Sequence, residues 1–330
     1  MPEKSMIAGA VLVAALGVGL VGASGCRATT HALEPARLGV PSSSEALEAV
    51  IDIPGPVEVE TVRSARWSVT RAGLINLDDP KAEAAGLEDG PEPIEVYFHA
   101  LRHPTRGVFI LDTGVERAFA SDPEHAAVRG WFRSLSGVGT LQVEVDLASW
   151  LERQPAPLGG VFLSHLHLDH VLGLPDVPPA TPLYVGPGEA GATGFMNMFT
   201  QSITDRMLEQ HAPLSELRFE PDPSQRFAGV LDVFADGSVW ALHVPGHTPG
   251  SMAFVARTPR GPVLLTSDAC HTRFGWENEV EPGTFSSDGP LSEQSLAALE
   301  QLAARHPALD VRLGHQALPP RQAGALTAAH

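Results

Sequence analysis

Residues 162–174 read FLSHLHLDHVLGL and place His165, His167, Asp169 and His170 within six positions. The run before them, GGVFLSH, has the length and composition of a short buried strand. The four side chains therefore sit where a strand end turns into a loop, and such loops converge side chains on one point. His165 and His167, two residues apart, project the same way. Leu166 and Leu168 point into the core, and Asp169 with His170 turns onto a second point. A mononuclear zinc site needs three protein ligands and an open position. Four candidates aimed at two points predict two metals, each short of ligands, so distant segments must fold back to this loop.

Three further candidates each end a predicted strand. His247 lies in ALHVPGHTPGS, where Gly246 and Gly250 permit a tight loop; Asp268 ends VLLTSDA; His315 ends VRLGHQ. Together the seven suffice for two divalent ions that share one carboxylate. Nitrogen and carboxylate oxygen without thiolate suit zinc, with iron, manganese and cobalt chemically possible. IEVYFHAL and GVFILDTG predict a hairpin, and GVLDVFADGSVWALHVPGH predicts two strands around an Asp236-Gly237 turn. Residues 192–210, DLASWLERQ and SEQSLAALEQLAARHP read as helices. Strand runs followed by helices, occurring twice, predict two β-rich halves with helices outside.

HLHLDH, GHTPGS, SDA and LGH, in this order, resemble the metallo-β-lactamase superfamily, over roughly residues 57–318. The resemblance implies an α/β fold, an αββα sandwich of two mixed β-sheets with helices on the outer faces and a dinuclear metal site at one edge. It implies that His165, His167 and His247 hold one metal, that Asp169, His170 and His315 hold the other, and that Asp268 bridges. Asp112, in the Asp-x-Gly turn, would support the site by fixing a ligand imidazole. The implied chemistry is hydrolysis by a metal-bridging hydroxide, with Asp268 setting its geometry and Asp169 relaying a proton to the leaving group.

The surroundings of Asp268 narrow the substrate. Best-known β-lactamases of this superfamily carry Cys there and a Lys soon after, which this chain lacks. DACHTRFGWENE offers only Arg273 as a cation, a poor match to the glutathione thioesterase branch. The branch of N-acyl-homoserine lactonases and organophosphate hydrolases keeps Asp as the bridge, as here. Many lactonases place Tyr three residues later; this chain has His271, read either as a hydrogen-bond partner of the substrate carbonyl or as a packing and support residue. Cys270 reads as a small buried filler. Phe195, Met196, Met198 and Phe199, with Trp131 and Phe132 earlier, read either as core or as the wall of a pocket for an apolar acyl or aryl group. The expected activity is lactone or ester hydrolysis. The alternatives are a phosphotriesterase or thioesterase of the same fold, or an iron-binding redox member.

A formal charge of -17 argues against nucleic acid, which requires clustered cations, and against adhesion to anionic lipid by charge alone. The expected partner is a small-molecule substrate with an apolar substituent. At the N-terminus, MIAGAVLVAALGVGLVGAS ends at ASGC and resembles the lipoprotein cleavage box of an exported bacterial protein, with Cys26 lipidated. A conventional signal or an uncleaved anchor helix stays open. The expected organisation is a signal over 1–26, a flexible tether over 27–56 and a catalytic domain over 57–330, held at the cell envelope by an N-terminal lipid or anchor.

Overall fold

The computed structural model describes residues 26–319. Alternation along the strands builds two sheets around a shared core. In strand Met252–Thr258, Met252, Phe254 and Ala256 join the layer between the sheets, while Ala253 and Val255 face outward onto helix Gly289–Arg305. That helix starts after Asp288, whose side chain accepts from Leu291 N, and lays Leu296, Leu299 and Leu302 onto the sheet at three-residue spacing. On the opposite side, Ile203 and Met207 of helix Asn197–Leu208 and Trp150 of helix Leu147–Leu151 cover the other sheet. Between the sheets, Phe109 stacks on Phe162 at 5.6 Å and Phe162 meets Phe254 at 5.3 Å. The result is the expected order of helix, sheet, sheet, helix.

The eight-stranded sheet runs in the order Leu33–Pro35, Leu214–Glu216, Leu183–Val185, Leu158–Phe162, Gly107–Leu111, Pro91–His103, Glu58–Thr70, Gln142–Val143. The six-stranded sheet runs Asp310–Arg312, Gly261–Leu265, Met252–Thr258, Val239–His243, Gly229–Asp232, Val40–Ser42. Residues 229–312 thus build most of the second sheet, apart from one N-terminal strand. Among the described residues no helix is long and apolar enough to cross a membrane.

The structure corrects the tether over 27–56. Cys26–Arg27 pairs with Thr193–Gly194, Leu33–Pro35 adds a parallel edge strand to one sheet, and Val40–Ser42 adds an antiparallel edge strand to the other. Leu47 and Ile51 are fully buried against the outer face of the six-stranded sheet. These segments are three residues long or shorter where they pair, too short to show periodicity, and their Pro and Ser content matches that of a linker. Leu47→Ala is expected to lower the unfolding free energy by about 2–5 kcal/mol in denaturant titration. A change within about 0.5 kcal/mol, the size found for exposed positions, would restore the tether.

Candidate metal centre

Strand Leu158–Phe162 is followed by buried Leu163, and the chain then turns through Ser164. His165 and Leu166 are buried at this turn, and Asp169 and His170 lie on the short helix Leu168–Val171 that follows. His247 leaves strand Val239–His243 through Gly246, whose φ is +135° and where a Cβ would lie 2.3 Å from Ser292 N. Only glycine allows that approach. Asp268 follows strand Gly261–Leu265, and His315 follows Asp310–Arg312. At Gly314, a Cβ would meet Asp268 Oδ1 at 2.4 Å, so the residue before His315 must lack one for the carboxylate to sit where it does.

These segments bring the seven side chains together in two triads. His247 Nε2 lies 3.2 Å from His165 Nε2 and 2.8 Å from His167 Nδ1. In the other triad, Asp169 Oδ2 lies 3.9 Å from His170 Nε2 and 3.3 Å from His315 Nε2. Asp268 Oδ2 stands between them, 3.7 Å from His165, 3.4 Å from His247, 3.2 Å from His170 and 3.3 Å from His315. Donors bound tetrahedrally at 2.0–2.1 Å from a zinc ion are ~3.3 Å apart, and the separations here, from 2.8 to 3.9 Å, bracket that value.

Hydrogen bonding behind the rings shows what the cluster needs at its centre. His170 Nδ1 donates to Asp112 Oδ2 at 2.8 Å, and His315 Nδ1 donates to the Glu95 carbonyl at 2.9 Å. In the neutral rings, with the proton on Nδ1, both Nε2 lone pairs aim at the Asp268 carboxylate, an arrangement of acceptor against acceptor that a proton or a metal ion must relieve. Buried His170 Nε2 and Asp268 Oδ1 have no hydrogen-bond partner. A cation between these atoms removes the conflict, and ligation through Nε2 with Nδ1–H held from behind is the usual form of a metal-binding histidine. The electrostatics agree for the three-histidine triad and for Asp268. Burial alone would raise the Asp268 carboxyl, but His315, His170 and His271 together hold it well below the usual carboxylate range. Burial and neighbouring imidazoles push His165 and His247 well below the usual histidine range; His167 is pushed down to about 4, burial again being the main cause. Burial would also lower His170, yet Asp268, Asp112 and Asp169 hold it well above. The neutral rings of the three-histidine triad and the ionised Asp268 are already the forms that bind metal, whereas His170 and His315, both held up by neighbouring carboxylates, would release a proton as an ion enters.

Asp112 adopts a left-handed φ of 60° that turns its carboxylate back onto the motif loop, where Oδ1 accepts from Ser164 N at 2.8 Å and Oδ2 from Ser164 Oγ at 2.9 Å. His271 is buried, with Nε2 3.1 Å from Asp268 Oδ2. Cys270 is buried in the outer core, and burial pushes its thiol up. Arg273 donates to the Ala317 carbonyl and lines a cavity of about 450 Å³ with Trp67, Ile94 and His315. For Phe195, Met198 and Phe199 the core reading is corrected. At 70%, 53% and 38% exposure they are surface rather than core. Trp131 is likewise exposed, whereas Phe132 is buried in the outer core.

Glu189 escaped the sequence reading. Its buried carboxylate accepts from Leu166 N at 2.7 Å, between two motif histidines, and from Thr248 Oγ1 at 2.6 Å and Gly250 N at 3.0 Å, in the loop that carries His247. One side chain thus ties together the two loops of the first triad. A single Glu in a Gly-rich stretch gives no local signal of such a role. Glu189→Gln sets an amide NH₂ against one of these backbone N–H donors. It is expected to lower stability by about 1–3 kcal/mol and metal affinity by about 10–100-fold. Denaturant melts and chelator competition check this; wild-type values for both would show that the tie is dispensable.

Residues 91–315 match the metallo-β-lactamase superfamily. The chain is 28% identical over 233 residues to the N-acyl homoserine lactonase AttM of Agrobacterium fabrum, covering 67% of this chain and 82% of that protein. It is 34% identical over 250 residues to the metallo-hydrolase mfmC of Annulohypoxylon moriforme, covering 72% of this chain and 60% of that one. The solved structure of AidC, a dizinc quorum-quenching lactonase with a product bound, superposes with a TM-score of 0.55 at 13% identity, covering 86% of this chain and 93% of that chain.

Proposed function

The chain belongs to the metallo-β-lactamase superfamily and is a metal-dependent hydrolase, and we propose that it opens lactones, or cleaves related esters, with two zinc ions held by the seven residues above. The observation that carries this reading is Asp268 Oδ2, placed between a three-histidine triad and an Asp-His-His triad. Two zinc ions held there supply Lewis acidity for the carbonyl oxygen and acidify a water towards neutrality as the nucleophile.

The protein's own groups do the rest. Asp268 joins the two halves of the site and stays ionised. Asp112 and the Glu95 carbonyl fix the rings of His170 and His315. Asp169, the less buried carboxylate of the pair, would take the proton released by the attacking water and pass it to the departing alkoxide. Substrate preference follows from what the site offers. The chain has two lysines, Lys4 and Lys81, and Lys81 is paired with Glu279, so no lysine among the described residues waits at the centre for a substrate carboxylate. That argues for an uncharged ring or ester over a β-lactam acid. Trp67, Ile94 and Ala317, lining the cavity beside His315 and Arg273, offer apolar contact for an acyl chain.

Zinc-loaded protein assayed against acyl homoserine lactones, aryl esters, a phosphotriester, a thioester and a chromogenic β-lactam tests this reading. The highest kcat/KM is expected for a lactone or ester. A phosphotriester or thioester preferred by tenfold or more would move the protein to another branch. Iron in place of zinc with oxygen-dependent turnover would replace hydrolysis by redox chemistry.

A further inference from the structure

We propose that His271 is an eighth protein ligand of the centre, binding through Nε2 beside His247 and Asp268; this rests on the metal-centre reading above. His271 Nδ1 lies 3.0 Å from the Leu74 carbonyl, which can only accept, so the ring proton sits on Nδ1. Its Nε2 lone pair then faces Asp268 Oδ2 at 3.1 Å, within a ring that is 1% exposed. His315 has the same arrangement, with a backbone carbonyl behind Nδ1 and the same oxygen 3.3 Å in front of Nε2. The two rings lie nearly parallel, 22° apart at 5.6 Å. His271 also packs edge-on to His247 at 4.9 Å, and candidate ligand atoms of His247, Asp268 and His271 all fall within 4.8 Å of one another.

A tautomer held by Leu74 has a consequence for the reaction. A tyrosine hydroxyl at this offset donates a hydrogen bond, whereas Nε2 of His271 presents a lone pair. Bound to a cation through Nε2, His271 does not take over a tyrosine's contact with a substrate carbonyl. It supplies a bond to the cation instead, and carbonyl orientation falls to other groups.

The test uses full-length protein loaded with cadmium-113 and labelled with nitrogen-15 histidine. Six histidines, those at 165, 167, 170, 247, 271 and 315, should each show cadmium coupling, and His271→Phe should remove one coupling and weaken one metal by about 10–100-fold. Five couplings in the wild type, with none assigned to His271, would overturn the proposal and leave the ring as a hydrogen-bond partner of Asp268. Six couplings in a protein that hydrolyses no lactone would uphold the ligand and sink only the substrate assignment. No couplings at all would sink the metal centre itself.

A separate observation concerns the surface around Phe195. Cys26 pairs with Gly194, so the apolar run over residues 6–24 leads into the described fold directly beside Phe195. Phe195, Met196, Met198 and Phe199 are all exposed, and the rings of Phe195 and Phe199 touch edge to face at 5.6 Å. From Ala190 to Thr204 the chain has no Asp, Glu, Lys or Arg, although its net charge is -17. An uncharged apolar patch next to an apolar N-terminal run suits a lipid surface, on which a strongly acidic face would be repelled. We infer that this patch rests on a bilayer, on an exported protein held there by its N-terminal run or by a lipid on Cys26.

Hydrogen exchange of the full chain with and without phosphatidylcholine vesicles tests the contact. Residues 193–200 should gain protection on vesicles, and a Phe195→Ser, Met198→Ser, Phe199→Ser variant should lose that gain while keeping its activity in solution. Protection confined to the N-terminal run would overturn the inference. Protection of 193–200 that grows with protein concentration alone would point to a second copy, and a raised KM for long-chain lactones without vesicle protection would make the patch an acyl-binding surface; either outcome overturns it.

Discussion

Asp268→Ala should reduce kcat/KM by on the order of 10³-fold or more, about 4 kcal/mol of transition-state stabilisation. The reason is geometric. Asp268 Oδ2 lies between 3.1 and 3.7 Å from the Nε2 atoms of His165, His170, His247, His271 and His315. Asp169 is the other carboxylate in the two triads, and it belongs to one of them. Removing Asp268 leaves imidazole lone pairs facing each other in a buried space with no shared anion, so the affinity of both ions should fall together. Asp268→Asn is the sharper control, because the amide keeps the shape but offers an N–H₂ group where a cation is needed. Steady-state kinetics with circular dichroism to verify folding checks the prediction. A variant that keeps even a tenth of wild-type kcat/KM would show that Asp268 is not shared.

Chelation should lower the unfolding midpoint by about 10 °C or more. An ion present at a thousandfold over its Kd stabilises the folded chain by about 4 kcal/mol, and a domain of this size shifts by about 2–4 °C per kcal/mol. Without cations the structure buries orphaned acceptors, among them His170 Nε2 and Asp268 Oδ1. The centre also ties strands of both sheets, since His165 follows one sheet and His247, Asp268 and His315 follow the other. Scanning calorimetry with and without a chelator, followed by zinc addition, measures the effect. An unchanged midpoint would mean that the sandwich holds the site preformed and empty at no cost.

How far the sequence could be read depended on whether the physics was local. HLHLDH is legible because two-residue spacing at a strand end aims His165 and His167 together, and because each remaining candidate also ends a strand. The layered sandwich was legible for a similar reason: Met252, Phe254 and Ala256 alternate with Ala253 and Val255. The parts that were not legible arise from contacts across long sequence separations. Leu47 and Ile51 lie in Pro- and Ser-rich chain and are core only because the six-stranded sheet receives them. Glu189 acquires its role from Leu166 and Gly250, residues on two other loops. The His271 tautomer is set by Leu74, 197 positions away. Composition also cannot separate a core cluster from a surface patch, and Phe195 to Phe199 prove to be surface.

The most direct test of the central claim is the metal content of zinc-loaded protein by mass spectrometry, compared with Asp169→Ala and His247→Ala, one variant per triad. Two zinc ions per wild-type chain, and close to one in each variant after desalting, is the result predicted by two triads joined through Asp268. One ion per wild-type chain, or variants that each retain two, would contradict it.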